Sequence, residues 1–107
     1  KNASAEHSLA SVFSVIRNTS VPFGLNTEEE PNISSTRWRT VIDHKRGLYF
    51  FESAVSPNVF WVDLKDINFN NGQTRKLELG PDQAKVYAGK ANASFKTAKP
   101  FEFLGTQ

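Results

Sequence analysis

The amino-acid sequence predicts an α+β fold, and three stretches carry that prediction. Leu9, Val12, Phe13 and Ile16 stand at i, i+3, i+4 and i+7, the spacing of one helix face. TRWRTVID and LYFFES, two segments of alternating character, flank HKRG and read as a β-hairpin. The run VFWV in SPNVFWVDL is apolar at every position, so a strand there needs cover on both faces.

The elements follow in order. Residues 5–18 read as a helix, with Ser4 placed to cap its start, Glu6 suited to the positive first turn and Arg17 to the last. Its polar face is rich in Ser rather than Lys or Arg, which argues against a membrane-surface helix. Pro22 and Gly24 bar its continuation. Residues 25–35, LNTEEEPNISS, read as a polar loop. In the hairpin, 36–53, Trp38, Thr40 and Ile42 alternate with Arg37, Arg39 and Val41, and Leu48 and Phe50 alternate with Tyr49 and Phe51. Gly47 supplies a positive φ for the turn. A third antiparallel strand, VFWVDL, returns beside the second after the short loop AVSPN. After Lys65 the signal fades. An Asn71-Gly72 turn leads to a weak strand over Thr74–Leu79. Residues 80–107 lack periodicity, with Phe95, Phe101, Phe103 and Leu104 spaced as single anchors, and read as a tail lying across a larger body.

Composition bounds the function. The chain has 107 residues, enough for one small domain or part of a larger one. Its formal net charge of +2 is too small to argue for nucleic acid or an anionic membrane. There is no Cys, hence no disulfide, thiolate nucleophile or thiolate metal site. No apolar run approaches the roughly 18 residues of a membrane span. The opening KNASAEHS has neither an initiator Met nor a signal-peptide pattern, and reads as a cut inside a longer protein or a processed terminus.

No set of residues reads as a catalytic or metal centre. His7 and His44 have no second His at i+3 or i+4 and no Cys to complete a zinc site. Asp43-His44 with a Ser has the residue types of a triad but lacks any sign of a nucleophile held against its base. Glu28-Glu29-Glu30 on a loop forms no ligand cage. Arg37, Arg39, Lys45 and Arg46, interleaved with Trp38 and Tyr49, resemble a nucleic-acid patch, but Asp43, Glu52 and the three Glu beside them favour a mixed-charge surface. Sequons at Asn2, Asn18, Asn32 and Asn92 are expected by chance in a chain rich in Asn, Ser and Thr. The expected site assignment is therefore empty: no catalytic, cofactor-binding or metal-binding residue.

A longer pattern carries a resemblance. Thr36-Arg37-Trp38-Arg39-Thr40-Val41 with Asp43, then Tyr49-Phe50-Phe51, then Ser56-Pro57-Asn58-Val59-Phe60-Trp61-Val62-Asp63-Leu64 look like the C-terminal region of the choloylglycine hydrolase family. These are the linear amide C-N hydrolases, among them bile salt hydrolases and penicillin V acylases. The preceding helix and its exit Asn18-Thr19-Ser20-Val21-Pro22-Phe23-Gly24 are similar to the family's, and Lys99-Pro100-Phe101-Glu102-Phe103 resembles the end of members from Gram-negative bacteria.

The resemblance implies part of an N-terminal-nucleophile hydrolase, a four-layer α-β-β-α sandwich in which residues 1–107 form a C-terminal portion. The family's nucleophile is an N-terminal Cys whose own amino group acts as base, with Arg, Asp and Asn partners upstream of the region matched here. None of these maps onto this chain, which by itself is expected to be inactive. The expected role is a scaffold for an enzyme that cleaves linear amides such as bile salts, penicillin V or acyl-homoserine lactones, without a cofactor, in a periplasmic or secreted setting. The expected partners are the rest of the parent hydrolase or a second copy of the chain, giving a homo-oligomer, with no nucleic acid and no membrane. The alternative is a free-standing β-rich interaction module that docks a partner through Tyr49, Phe51, Phe60 and Trp61.

Overall fold

The computed structural model of the chain describes residues 3–56, 58–70, 72–80 and 85–105. Helix α1 spans Ala5–Asn18. Strands β1 (Trp38–Asp43), β2 (Leu48–Ser53) and β3 (Val59–Asp63) form an antiparallel meander. A short strand, β5 (Gly89–Lys90), then lies parallel to β3, so the sheet runs β1-β2-β3-β5. Strand β4 (Arg75–Lys76) pairs with β6 (Lys96–Thr97) in a separate two-stranded ribbon.

The helix begins where the cap predicts. The Ser4 side chain accepts the His7 N–H at 3.1 Å. It ends at Asn18, before Pro22 is reached, because the hydroxyls of Thr19 and Ser20 both donate to the Ile16 carbonyl and satisfy an acceptor the helix leaves open. The hairpin turn closes through Gly47, whose N–H donates to the Asp43 carbonyl at 2.8 Å and whose φ of +72° suits glycine.

The sheet's period of two sorts its side chains. Val41, Phe50, Leu48, Val59 and Trp61 pack with Leu9, Phe13 and Ile16 of α1. Phe13 meets Phe50 edge-on, ring centres 6.0 Å apart, and Phe50 meets Trp61 at 5.7 Å. Trp38, Thr40 and Ile42 stay exposed on the other face. The all-apolar run of β3 is covered unevenly. Phe60 and Val62 are buried, while Val59 and Trp61 are half-buried under the helix.

Ion pairs fasten both ends of α1 to the hairpin. Arg17 grips Glu52 of β2 with Nε 3.1 Å from each carboxylate oxygen, and Arg39 approaches the same carboxylate at 3.5 Å. Glu52 is largely buried, so these cations offset the loss of its hydration. At the other end Arg46 donates to Asp43 at 2.6 Å and to Glu6 at 3.1 Å. The Arg46 N–H and guanidinium together hold the Asp43 carboxyl below its ordinary 3.8.

Two expectations need correction. The weak strand expected over Thr74–Leu79 is only the pair Arg75–Lys76. The tail, expected to be irregular and without periodicity, supplies the two-residue strands β5 and β6. These are two-residue pairings held by the backbone, with Ala91 N–H donating to the Trp61 carbonyl at 2.9 Å and Ala98 N–H to that of Thr74 at 2.9 Å. So short a pairing has no side-chain period to read. The turn before Arg75 is present, with Gly72 at φ +79° and Gln73 N–H donating to the Asn70 carbonyl, while its Asn71 lies outside the described residues. Pro57, residues 81–84 and the Asn2 sequon also lie outside them.

Phe50→Ala is expected to destabilise the fold by about 3–5 kcal/mol, since it empties the centre of the helix-side core. Phe69→Ala, at a ring 74% exposed, should change stability by less than about 0.5 kcal/mol. Paired denaturation curves measure both. The Asp43 tie adds a pH dependence. A carboxylate with a lowered folded pKa stabilises fully above its ordinary 3.8 and loses that contribution as pH falls through the folded value. The melting-temperature gap between wild type and Asp43→Asn should therefore be widest near neutrality and shrink below 3.8, whereas a gap constant across pH would mean the carboxylate's charge plays no part.

Candidate functional site: the open face of the sheet

The face of the sheet turned away from α1 is built by Tyr49 and Phe51 of β2 with Phe60 and Val62 of β3. Phe51 and Phe60 are cross-strand partners and their rings stack 5.1 Å apart. Tyr87 meets Phe60 edge-on at 5.7 Å, bringing part of the tail over this face. Leu77, Leu79 and Phe95 approach from the same side and leave a cleft of about 520 Å³ against Tyr49, Phe51, Phe60 and Val62. Its walls are mostly apolar, with Arg75 and Lys76 among its lining residues.

Among the described residues, no Ser, Thr, His, Asp or Glu lines this cleft, so it shows no nucleophile paired with a base. It can exclude water and accept apolar groups. The chain is also spread out for its size. Its radius of gyration is 17.0 Å, against about 13 Å for a compact domain of this length. Phe101, Phe103 and Leu104 lie exposed, with the two rings packed only edge-on to each other at 4.9 Å.

A second cleft, about 590 Å³, lies between residues 66–70, 72–75, Asn92 and Phe95 and is lined with amides. One of its residues has a clear structural task. Asn92 accepts the Asp63 N–H at 2.8 Å and donates to the Asp63 carbonyl at 2.9 Å, so its side chain extends the sheet edge as a strand would. Nearby Lys90 pairs with Asp66, and that hydrogen bond raises its pKa. Asn92 stands out in the sequence only as a sequon, and no local pattern signals this pairing.

The residues weighed from sequence do not assemble. Arg39 turns to Ser20 at 2.6 Å and to Glu52, Arg46 to Asp43 and Glu6, and Arg37 lies over the Phe23 ring at 5.0 Å. The basic cluster is thus divided among separate contacts. Asp43 is bound to Arg46, which leaves His44 without the carboxylate a triad requires. Among the described residues, no three His, Asp or Glu side chains stand where they could hold a metal ion. No described helix is long and apolar enough to cross a membrane. The aromatic docking surface is also split. Trp61 packs on Phe50 under α1, while Tyr49, Phe51 and Phe60 face the other way. Neighbours in a strand point to opposite faces, so Phe60 and Trp61 cannot share one surface.

Comparison with known proteins identifies the scaffold. The family model of the linear amide C-N hydrolases, choloylglycine hydrolase family, matches residues 1–77. A penicillin V acylase from Pectobacterium atrosepticum is 62% identical over 99 residues, which are 91% of this chain and 26% of that protein. The solved structure of penicillin V acylase from Agrobacterium tumefaciens superposes with a TM-score of 0.87 at 57% identity, over 98% of this chain and 34% of that one. The chain thus spans about a quarter of the curated relative and about a third of the solved one. The helix packed on one face of a sheet, the apolar cleft on the other and these matches lead to one conclusion: the chain belongs to the choloylglycine hydrolase family of linear amide C-N hydrolases, and its α+β architecture is part of the penicillin V acylase fold, an N-terminal-nucleophile hydrolase.

Proposed function

We propose that this chain is the scaffold portion of an amidohydrolase of the penicillin V acylase type. It would act with further polypeptide that carries an N-terminal Cys nucleophile, since these 107 residues contain no Cys. The reading rests above all on 57% identity with a TM-score of 0.87 over 98% of the chain, to a protein that is itself a penicillin V acylase. In this reading residues 1–107 form one C-terminal portion of a larger domain. The open face of Tyr49, Phe51, Phe60 and Val62 seats the second sheet of a four-layer sandwich, and Phe101, Phe103 and Leu104 strap the same body.

The scaffold's contribution to catalysis is rigidity. Phe50 and the Glu52 ion pairs hold the helix and strands in one arrangement. A sheet packed on this one keeps its own geometry, and a nucleophile must be held to within about 0.5 Å of productive geometry. The substrate class is a linear amide, with penicillin V first in order because both similar proteins are penicillin V acylases.

A chimera tests this. This chain replaces the matching 26% of the Pectobacterium atrosepticum penicillin V acylase. The expected result is a folded chimera that hydrolyses penicillin V, while this chain alone releases no product. A folded chimera that is inert toward penicillin V, glycocholate and acyl-homoserine lactones, when the unaltered enzyme is active in the same assay, would overturn the proposal.

A further inference from the structure

The tail meets the edge of β3 over a very short span. Strand β5 pairs Gly89 with Phe60 and Lys90 with Trp61, and the Ala91 N–H then donates to the Trp61 carbonyl. A 3-10 turn over Asn92–Ser94 carries the chain off the strand. The Asn92 side chain takes over where the backbone leaves. An amide holds a donor and an acceptor in one plane, as a peptide group does, and both are spent on Asp63. The strand pairing is extended by a side chain, and the chain beyond is free to turn.

Two rings of the tail flank this point. Tyr87 stands before it, edge-on to Phe60, and Phe95 after it, in the wall of the apolar cleft. Past Phe95 the chain is held by the β4–β6 ribbon and by the bond from Ala98 to Thr74. The helix-side core around Phe13, Val41 and Phe50 draws on no described residue beyond Trp61. Of the described tail residues only Ala91 is buried, at 3% exposure. A segment with so little buried apolar surface opens at a lower free energy than the core beside it.

We infer that residues 85–95 form a strap that opens and closes over the open face without unfolding the helix–sheet core, and that the Asn92 amide is its latch. Closure sets Tyr87 on Phe60 and Phe95 in the cleft wall. Asn92 is a positioning residue, acting on both rings through the backbone it pins. The latch needs both halves of the amide. Asn92→Ala loses both bonds to Asp63. In Asn92→Asp the result depends on protonation. The neutral acid has one O–H and one acceptor oxygen, so it keeps the amide's pattern. The carboxylate has no donor and sets an oxygen against the Asp63 carbonyl. The charged groups around it are the Asp63 and Asp66 carboxylates, the Lys90 ammonium that Asp66 engages and, across the amide-lined cleft, Arg75. Closure therefore favours the neutral acid and raises the introduced carboxyl above its ordinary value of about 3.9. With a raised pKa, closure is kept below the ordinary value and lost as pH rises through the raised one.

Hydrogen exchange of the 107-residue chain, read residue by residue by NMR, tests the latch. In Asn92→Ala the Ala91 N–H should exchange about tenfold or more faster than in wild type, while the β1–β2 ladder at Val41 and Phe50 keeps its protection. The Overhauser contact between the Tyr87 and Phe60 rings should weaken with it. In Asn92→Asp the Ala91 rate, relative to wild type at the same pH, should stay within about twofold near pH 4 and reach about tenfold near pH 7. Unchanged Ala91 exchange in Asn92→Ala would overturn the inference, since the strap would then be held elsewhere. Protection lost equally in the β1–β2 ladder, or a variant that fails to fold, would overturn it too, because strap and core would then open as one. A rate ratio for Asn92→Asp that does not change with pH would remove the amide's two bonds as the cause of closure. A Tyr87–Phe60 contact that persists with the latch open would overturn the positioning role.

Discussion

Phe50 sits at the centre of β2, against Phe13 of α1 and beside Trp61 of β3, and the rest of the structure depends on that contact. A strand's side chains leave alternate faces, so once Phe50 points to the helix, Phe51 must point away. The same constraint passes through the register to β3, where Trp61 pairs with Phe50 and Phe60 with Phe51. One packed aromatic therefore fixes which half of the hairpin is core and which half is presented outward. The helix covers only one of the two faces.

Charge finishes what apolar packing begins. The two ends of α1 are held by Arg17–Glu52 and by Glu6–Arg46, and each pair extends into a second partner, Arg39 and Asp43. Exposed ion pairs usually contribute about 0–1 kcal/mol, and the Glu6 contact belongs to that class. Glu52 differs because its side chain is only 13% exposed, and without its two arginines a mostly shielded charge would lose its partners. Of the residues that resemble a basic nucleic-acid patch when written in a row, Arg46 reaches Glu6 of the helix and Arg39 backs the Glu52 carboxylate that Arg17 grips.

Membership of the choloylglycine hydrolase family agrees with this division of faces. A sheet with a helix on one side and an apolar cleft on the other is suited to the interior of a layered protein. In the proposed reading the chain is the supporting part of such an arrangement, and the chemistry belongs to residues outside these 107. Asp43 is tied to Arg46 rather than to His44, while Phe51, Phe60 and Tyr87 form the aromatic surface of the open face.

The sequence by itself determined the elements whose signals are local. The spacing of Leu9, Val12, Phe13 and Ile16 specified the helix, Ser4 its start, Gly47 the hairpin turn, and the alternation of β1 and β2 their pairing. The long pattern from Thr36 to Leu64 was enough to place the chain in its family, because it keeps residue types over a whole meander rather than at one site. Only the tertiary structure decided the rest. The parallel strand at Gly89–Lys90 and the Asn92 clamp on Asp63 join residues far apart in sequence through a few backbone and amide contacts, and the basic cluster is divided by ion pairs such as Arg46–Glu6. Such contacts leave no period along the chain. They exist only where packing brings two distant segments within hydrogen-bonding distance.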